Sequence, residues 1–178
     1  MFDLLFSTFV IIFFLSWMFP ILAVIIKLTS KGPILFKQLR SGVNNEEFVC
    51  YKFRSMTLSS DSESKQATLA DSRITYIGAF LRKTSLDEFP QFINVFLGDM
   101  SVVGPRPHML LHTKEYSELV RKYMVRQLVK PGITGVAQVR GYRGETKELQ
   151  DMEGRVRFDV WYMDCLLYTS PSPRDATL

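Results

Sequence analysis

Apolar positions are distributed unevenly along the chain, and the densest run comes first. Between Leu4 and Ile26 no side chain is charged. A helix of that length reaches across a hydrocarbon core of about 30 Å. Lys27, Lys31, Lys37 and Arg40 follow directly, which predicts that the rest of the chain stays on the cytoplasmic side. A cleaved signal peptide is disfavoured, because Asp3 replaces a basic n-region, the run is too long and no small-residue cleavage site follows it. Pro20 sits inside the run and cannot donate to the carbonyl of Ser16. Two paths satisfy this pattern: a kinked transmembrane helix, or a re-entrant helix that bends at Pro20 and returns to the face it entered.

Beyond residue 30 the periods change. Ile34–Leu39 and Phe48–Phe53 are β-rich runs around a Gly/Asn-containing turn and predict a hairpin. The serine-rich stretch "TLSSDSESKQATLADS" has no apolar period and predicts an exposed loop. Ile74–Lys83 reads as a short helix with Ile77, Phe80 and Leu81 on its buried side. Leu86, Phe89, Phe92, Ile93 and Phe96 recur at helical spacing up to Gly98, a stop signal. Met109–Val129 reads as an amphipathic helix, lying either on a soluble core or on an anionic membrane surface. "KPGITGVAQVRGYRGET" is loop-like. The closing "LLYTSPSPRDATL" lacks periodicity and is excluded from fold reasoning. The expected organisation is a membrane-embedded helix over 1–30, a catalytic domain over 31–165 and a non-native or disordered tail over 166–178. The fold class is α+β, mainly helical.

Composition narrows the chemistry only modestly. The chain has 178 residues and a formal charge of +4, which admits an anionic partner without choosing one. Cys50 and Cys165, the only cysteines, are too few for a disulfide scaffold or a cysteine zinc site. No GxGxxG, P-loop or nucleic-acid signature is present. His108 and His112 lack the intervening acid of a zincin and read as surface or core histidines.

One pair of acids stands out. Ser85-Leu86-Asp87-Glu88 fits a capping box in which the serine caps the helix and Glu88 reaches back. Asp87 would then sit in the first turn, where the helix dipole favours an anion. The flanking segments are basic, with Lys52, Arg54, Arg73, Arg82, Lys83, Arg106, Arg140 and Arg143. Singly each reads as a solvated charge; together they resemble counter-charge for a diphosphate. Neighbouring helical residues point about 100° apart, so Asp87 and Glu88 must play different roles.

The motifs "SKGPILFKQLRSG", "FVCYKFRSM", "RITYIGAFLRKTSLDEFPQFINVFLGDMSVVGPRP" and "KPGITGVAQVRGYRGET" follow in order. Over roughly Phe2 to Asp164 the chain resembles the bacterial sugar transferase family, the monotopic phosphoglycosyl transferases. The resemblance implies transfer of a sugar-1-phosphate from a UDP-sugar to undecaprenyl phosphate, with release of UMP. It implies Asp87 as a nucleophile forming a covalent phosphosugar intermediate. Glu88 would position a metal or manage a proton, with Mg²⁺ held at Asp87 and Glu88. Arg106 is the expected nucleotide contact and Arg82 a phosphate ligand, with Lys52, Arg54 and Arg143 completing the substrate site. The resemblance further implies a bacterial inner-membrane location, a re-entrant path at Pro20 with interfacial helices around the site, and, through "GVAQVRGYRGET", UDP-glucose as donor. A non-catalytic membrane scaffold or inactive fragment, and a glycosyltransferase that releases UDP, are the competing expectations.

Overall fold

A computed structural model of the chain describes residues 1–57, 71–144, 146 and 148–169. The N-terminal run is helical from Phe2 to Thr29, as α1 (Phe2–Val10), a π-helical turn (Ile11–Leu15) and α2 (Ser16–Thr29). Helical backbone continues through Pro20, and the departure from α-geometry falls at the π-turn. One face of this helix is buried, through Ser7, Val10, Leu15, Met18, Leu22 and Ile26. The opposite face leaves Leu5, Phe9, Phe13, Trp17, Ile21, Val24 and Leu28 exposed. Its length and composition suffice to cross a membrane, and so large an apolar exposed face is compatible with membrane association.

The helix is fastened to the rest of the chain near both ends. The Asp3 carboxylate accepts from the Val102 amide at 3.0 Å, and Phe6 packs on Phe92 with ring centroids 5.9 Å apart. At the other end Arg54, only 2% exposed, donates to the carbonyls of Pro33, Ile26 and Ser30 and to the Ser30 hydroxyl. The last carbonyls of a helix lack intrahelical donors, and a buried guanidinium needs acceptors, so each requirement meets the other. Between these ends Leu15, Met18, Leu22 and Ile26 form one core with Phe53 and Leu81.

The hairpin forms where the β-rich runs predict it. β1 (Leu35–Ser41) pairs antiparallel with β2 (Glu47–Phe53), with Lys37 opposite Tyr51 and Leu39 opposite Val49. Helix α3 spans Tyr76–Thr84, capped by the Thr75 side chain. Its Leu81 is fully buried and Ile77 packs on the core, but Phe80 is 52% exposed, contrary to its expected inward position. The Leu86–Gly98 helix divides into a 3-10 turn (Leu86–Glu88) and α4 (Gln91–Leu97). On α4, Asn94 is wholly buried and takes the outer edge of β2. Its side chain accepts from the Tyr51 amide at 3.1 Å and donates to the Val49 carbonyl at 2.7 Å, acting as a surrogate strand partner.

β3 (Ser101–Val103) pairs in parallel with β4 (Gly132–Thr134), a contact absent from the sequence reading. A Cβ on Gly104 would lie 2.4 Å from the Lys130 carbonyl oxygen, so only glycine permits this approach. The expected Met109–Val129 helix is also broken. α5 covers Leu110–Leu119, Lys122 takes a left-handed φ of 66°, and a 3-10 segment follows over Tyr123–Leu128. Tyr123, Arg126 and Gln127 of that segment are buried, so the interfacial helix read over this region is not formed as one amphipathic stripe. α6 (Val136–Val139) and α7 (Leu149–Thr169) are the last described elements. Met152 and Val156 of α7 pack with Val120 and Tyr123. Most of the serine-rich loop and the tail past Thr169 lie outside the described residues.

Replacing Arg54 by Met should lower the unfolding free energy by about 2–3 kcal/mol, since several backbone acceptors lose their donor. Urea denaturation in detergent, with limited proteolysis near Ser30, checks this. Unchanged stability and protection would contradict the anchoring role.

Candidate active site

A cavity of about 300 Å³ opens where β2, the 3-10 turn, the Pro105–Met109 segment and the Arg143–Gly144 loop converge. Its walls carry Lys52, Arg54, Arg82, Asp87, Glu88, Arg106 and Arg143. All seven site residues expected from the sequence are therefore gathered in one place. The turn that supplies the two acids depends on Ser85, whose φ of 61° ends α3 and starts the 3-10 turn. The capping box is not formed. The Ser85 hydroxyl accepts from Arg143 at 2.7 Å and caps no amide, while the Glu88 side chain turns toward the cations.

Glu88 is the hub of an ion cluster. Its Oε1 accepts from Lys52 Nζ and from Arg106 Nη2, each at 2.7 Å, and Oε2 lies 3.4 Å from Arg106 Nη1 and 3.9 Å from Arg143 Nη2. The residue is 7% exposed. Burial on its own raises this carboxyl, but the Lys52 ammonium and the Arg106 guanidinium outweigh it and hold Glu88 below the usual carboxylate range.

Asp87 behaves oppositely. Among the described residues its carboxylate has no hydrogen bond and no ion pair within 4.0 Å, although it lines the same cavity. Burial raises its carboxyl above the ordinary aspartate value, a shift that Lys52 opposes and Glu88 reinforces. The expectation that a helix terminus holds Asp87 ionised is corrected here, because α4 begins only at Gln91. Lys52, Arg82 and Arg106 only partly offset the effect of burial there. One acid of the adjacent pair is thus fixed and charged, and the other is unpartnered and open to the cavity.

Arg106 owes its aim to the backbone around it. Prolines at 105 and 107 donate no hydrogen bond, so this stretch is rich in acceptors. Four consecutive carbonyls are each held: Pro105 by the Gly132 amide, Arg106 by Arg126, Pro107 by Arg40 and His108 by the Ser41 amide. Arg126 is only 4% exposed at its side chain and pairs with the equally buried Asp159 at 2.9 Å. His108 is a core histidine beside Arg126 and Tyr123, and burial together with Arg126 and Arg155 keeps it neutral.

The remaining expected residues divide. Arg82 lines the cavity, and among the described residues its one hydrogen bond is to the Met56 sulfur, at 3.2 Å. Arg143 is half exposed and bridges Ser85 to Glu88. Arg54 also reaches the cavity wall, while one terminal nitrogen serves the end of α2 at Ile26 and Ser30 and the other holds the Pro33 carbonyl, so it anchors this corner as well. Arg73 forms a two-point pair with Asp71. Arg40 and Gln38 also line the cavity, as do His108 and His112, the histidines expected at the surface or in the core. In the sequence Arg40 is one of the charges that flank the apolar run, and no local pattern marks it as a cavity residue. No group of three or more His, Cys, Asp or Glu gathers into a metal cluster among the described residues.

Comparison with known proteins adds an independent line. The bacterial sugar transferase family model matches residues 1–169. The chain is 48% identical over 162 residues to the UDP-glucose:undecaprenyl-phosphate glucose-1-phosphate transferase of Klebsiella pneumoniae, covering 90% of this chain and 35% of that protein. It is 52% identical over 143 residues to the enzyme of the same name from Escherichia coli strain K12, covering 80% of this chain and 31% of that protein. It is 48% identical over 146 residues to the exopolysaccharide production protein PSS of Rhizobium leguminosarum bv. phaseoli, covering 79% and 73% of the two chains. The chain therefore spans about a third of the length of the first two relatives.

The two acids should respond oppositely to neutralisation. Glu88→Gln leaves Lys52 and Arg106 uncompensated and should cost about 2 kcal/mol of stability. Because the folded carboxyl is held low, that stabilisation is full above the ordinary glutamate range and fades as pH falls below it. Asp87→Asn removes an unpaired, raised carboxylate and should leave stability equal or slightly higher. Denaturation curves of both variants from acid to neutral pH test this; equal losses would contradict the division of roles.

Proposed function

The chain belongs to the bacterial sugar transferase family, and from that premise we propose that it transfers a sugar-1-phosphate from a UDP-sugar to undecaprenyl phosphate, releasing UMP. The observation that carries this reading is the unequal pair: Asp87 without a partner beside a Glu88 locked among cations. A carboxylate is a weak nucleophile and is repelled by phosphate oxygens. Lys52, Arg82 and Arg106, the cations acting on Asp87, screen that repulsion and favour the charge on the transferring phosphoryl group. Asp87 attacks the sugar-bearing phosphorus, UMP departs, and the acceptor phosphate then displaces the carboxylate. Glu88 keeps Lys52 and Arg106 in place and so acts through them.

A divalent cation such as Mg²⁺ fits at one carboxylate of the pair. Asp87 is free to hold it, whereas Glu88 would first have to release Lys52 or Arg106. When bound, the ion would neutralise diphosphate oxygens supplied by the donor. UDP-glucose is the donor named in the two relatives above and is the donor proposed for this chain.

The membrane reading extends the same proposal. The N-terminal helix is tied to the catalytic domain through Asp3 near its start and Arg54 at its end. A helix fastened at both ends to one domain favours a re-entrant or interfacial path over a free-standing span, with the π-turn giving the backbone its irregular point. The exposed apolar face then enters the inner leaflet of the bacterial inner membrane, and the cavity meets the lipid phosphate on the cytoplasmic side. Capsule, exopolysaccharide or O-antigen synthesis would begin there. A lipid-binding scaffold would leave the unpartnered acid without a use.

Asp87→Asn should abolish UMP release from a UDP-sugar in the presence of undecaprenyl phosphate and Mg²⁺; normal turnover would sink the nucleophile assignment, and UDP as product would favour the glycosyltransferase reading. In the unsubstituted chain, UMP release should rise with pH through a midpoint above the ordinary aspartate range. Lys52→Met should push that midpoint higher, since Lys52 is the strongest influence lowering the Asp87 carboxyl. A pH-independent rate would contradict the role given to Asp87.

A further inference from the structure

The cavity walls carry more positive charge than the two acids offset. Glu88 takes Lys52, Arg106 and, at 3.9 Å, Arg143, and Arg54 serves the end of α2. Arg82 and Arg40 remain on the wall without a carboxylate partner among the described residues. Arg40, on β1, donates Nη1 to the Pro107 carbonyl at 3.2 Å and Nη2 to the Gln38 side-chain oxygen. Both acceptors are neutral, so they orient the guanidinium without compensating its charge. Its Nε–H has no hydrogen-bond partner among the described residues. Arg106 differs, because both its terminal nitrogens face Glu88.

The two arginines without a carboxylate act on different parts of the site. Arg82 acts on the Asp87 carboxyl. Arg40 instead holds the Pro107 carbonyl, beside Arg106 of the Pro-Arg-Pro segment, and Glu88 and Arg106 are the site charges it feels. Arg82 sits in the last turn of α3, which ends at the turn carrying Asp87, whereas Arg40 reaches the site from β1. A diphosphate donor presents two phosphates that part company during the reaction, one retained on the carboxylate and one lost.

We propose that Arg40 is the ligand of the departing phosphate, the one carried away in UMP, while Arg82 faces the phosphoryl group retained on Asp87. This rests on the transferase reading above. In the step concerned, an Asp87 oxygen forms a bond to the sugar-bearing phosphorus, and the bond from that phosphorus to the bridging oxygen breaks. The electron pair stays on the bridging oxygen, which leaves as a terminal oxygen of UMP, and no proton or water is consumed. The negative charge that develops there needs a cation not already neutralised by a carboxylate, and a guanidinium held by neutral acceptors meets that need. In the second half-reaction UMP has gone, so Arg40 has no further part.

The test uses the full chain in nanodiscs of phosphatidylethanolamine and phosphatidylglycerol, with Arg40→Gln and Arg40→Lys. Three readouts are taken: the rate of phosphosugar adduct formation by quenched intact-mass analysis, the inhibition constant of UMP, and the discharge of preformed adduct by undecaprenyl phosphate. Arg40→Gln should slow adduct formation by about tenfold or more and weaken UMP inhibition about fivefold, with discharge within about twofold of normal. Arg40→Lys keeps the charge but loses the planar fork, and should shift the first two readouts in the same direction by a smaller factor. Unchanged UMP inhibition in both variants, or discharge slowed as much as formation, would overturn the assignment in favour of a purely structural hold on Pro107. Absence of any adduct in the unsubstituted chain would instead overturn the transferase reading on which the proposal stands.

Discussion

Glu88 organises the site because three segments far apart in the chain meet on one carboxylate. Lys52 comes from the hairpin, Arg106 from the Pro-Arg-Pro stretch and Arg143 from the loop before α7. Without that anion the cations would repel one another at the same wall. A buried carboxylate among cations contributes little net stability compared with apolar packing. Its value lies in fixing where the positive charge points. It also bears on why Asp87 remains unpartnered: its neighbour has already taken Lys52 and Arg106.

The same logic extends outward. Arg106 is aimed by a backbone whose carbonyls are held one after another, in part by the buried Arg126–Asp159 pair. The Asp3 contact with Val102 lies only four residues before Arg106, and Arg54 lies two residues after Lys52. The N-terminal helix therefore touches two walls of the cavity through short stretches of chain. Its apolar outer face and its inner contacts tie the position of the site to whatever surface that face enters.

Local pattern made some of this legible and not the rest. The hairpin could be read because its β-rich runs and its turn are contiguous. The seven expected site residues do converge, since the motifs that carry them are long and ordered. The roles within the cluster were not readable, because Lys52 and Arg106 reach Glu88 from 36 and 18 residues away. A local serine-to-glutamate spacing suggested a helix cap, and long-range ion pairing overrode it. Arg54, Arg126 and Asn94 look like surface residues to any periodicity argument. They are buried because backbone carbonyls, Asp159 or a strand edge await them. Arg40 is hidden for a similar reason: nothing nearby in sequence announces a cation left without an acid.

The central claim is that Asp87 takes the phosphosugar covalently while Glu88 does not. The most direct measurement mixes the chain with UDP-glucose alone, without acceptor, and maps the modified residue by peptide mass spectrometry under mild acid. The account predicts a hexose-phosphate on the peptide containing both acids, localised by fragmentation to Asp87 and retained in Glu88→Gln at reduced yield. A modification on Glu88, or turnover to UMP with no covalent species on this peptide, would contradict it.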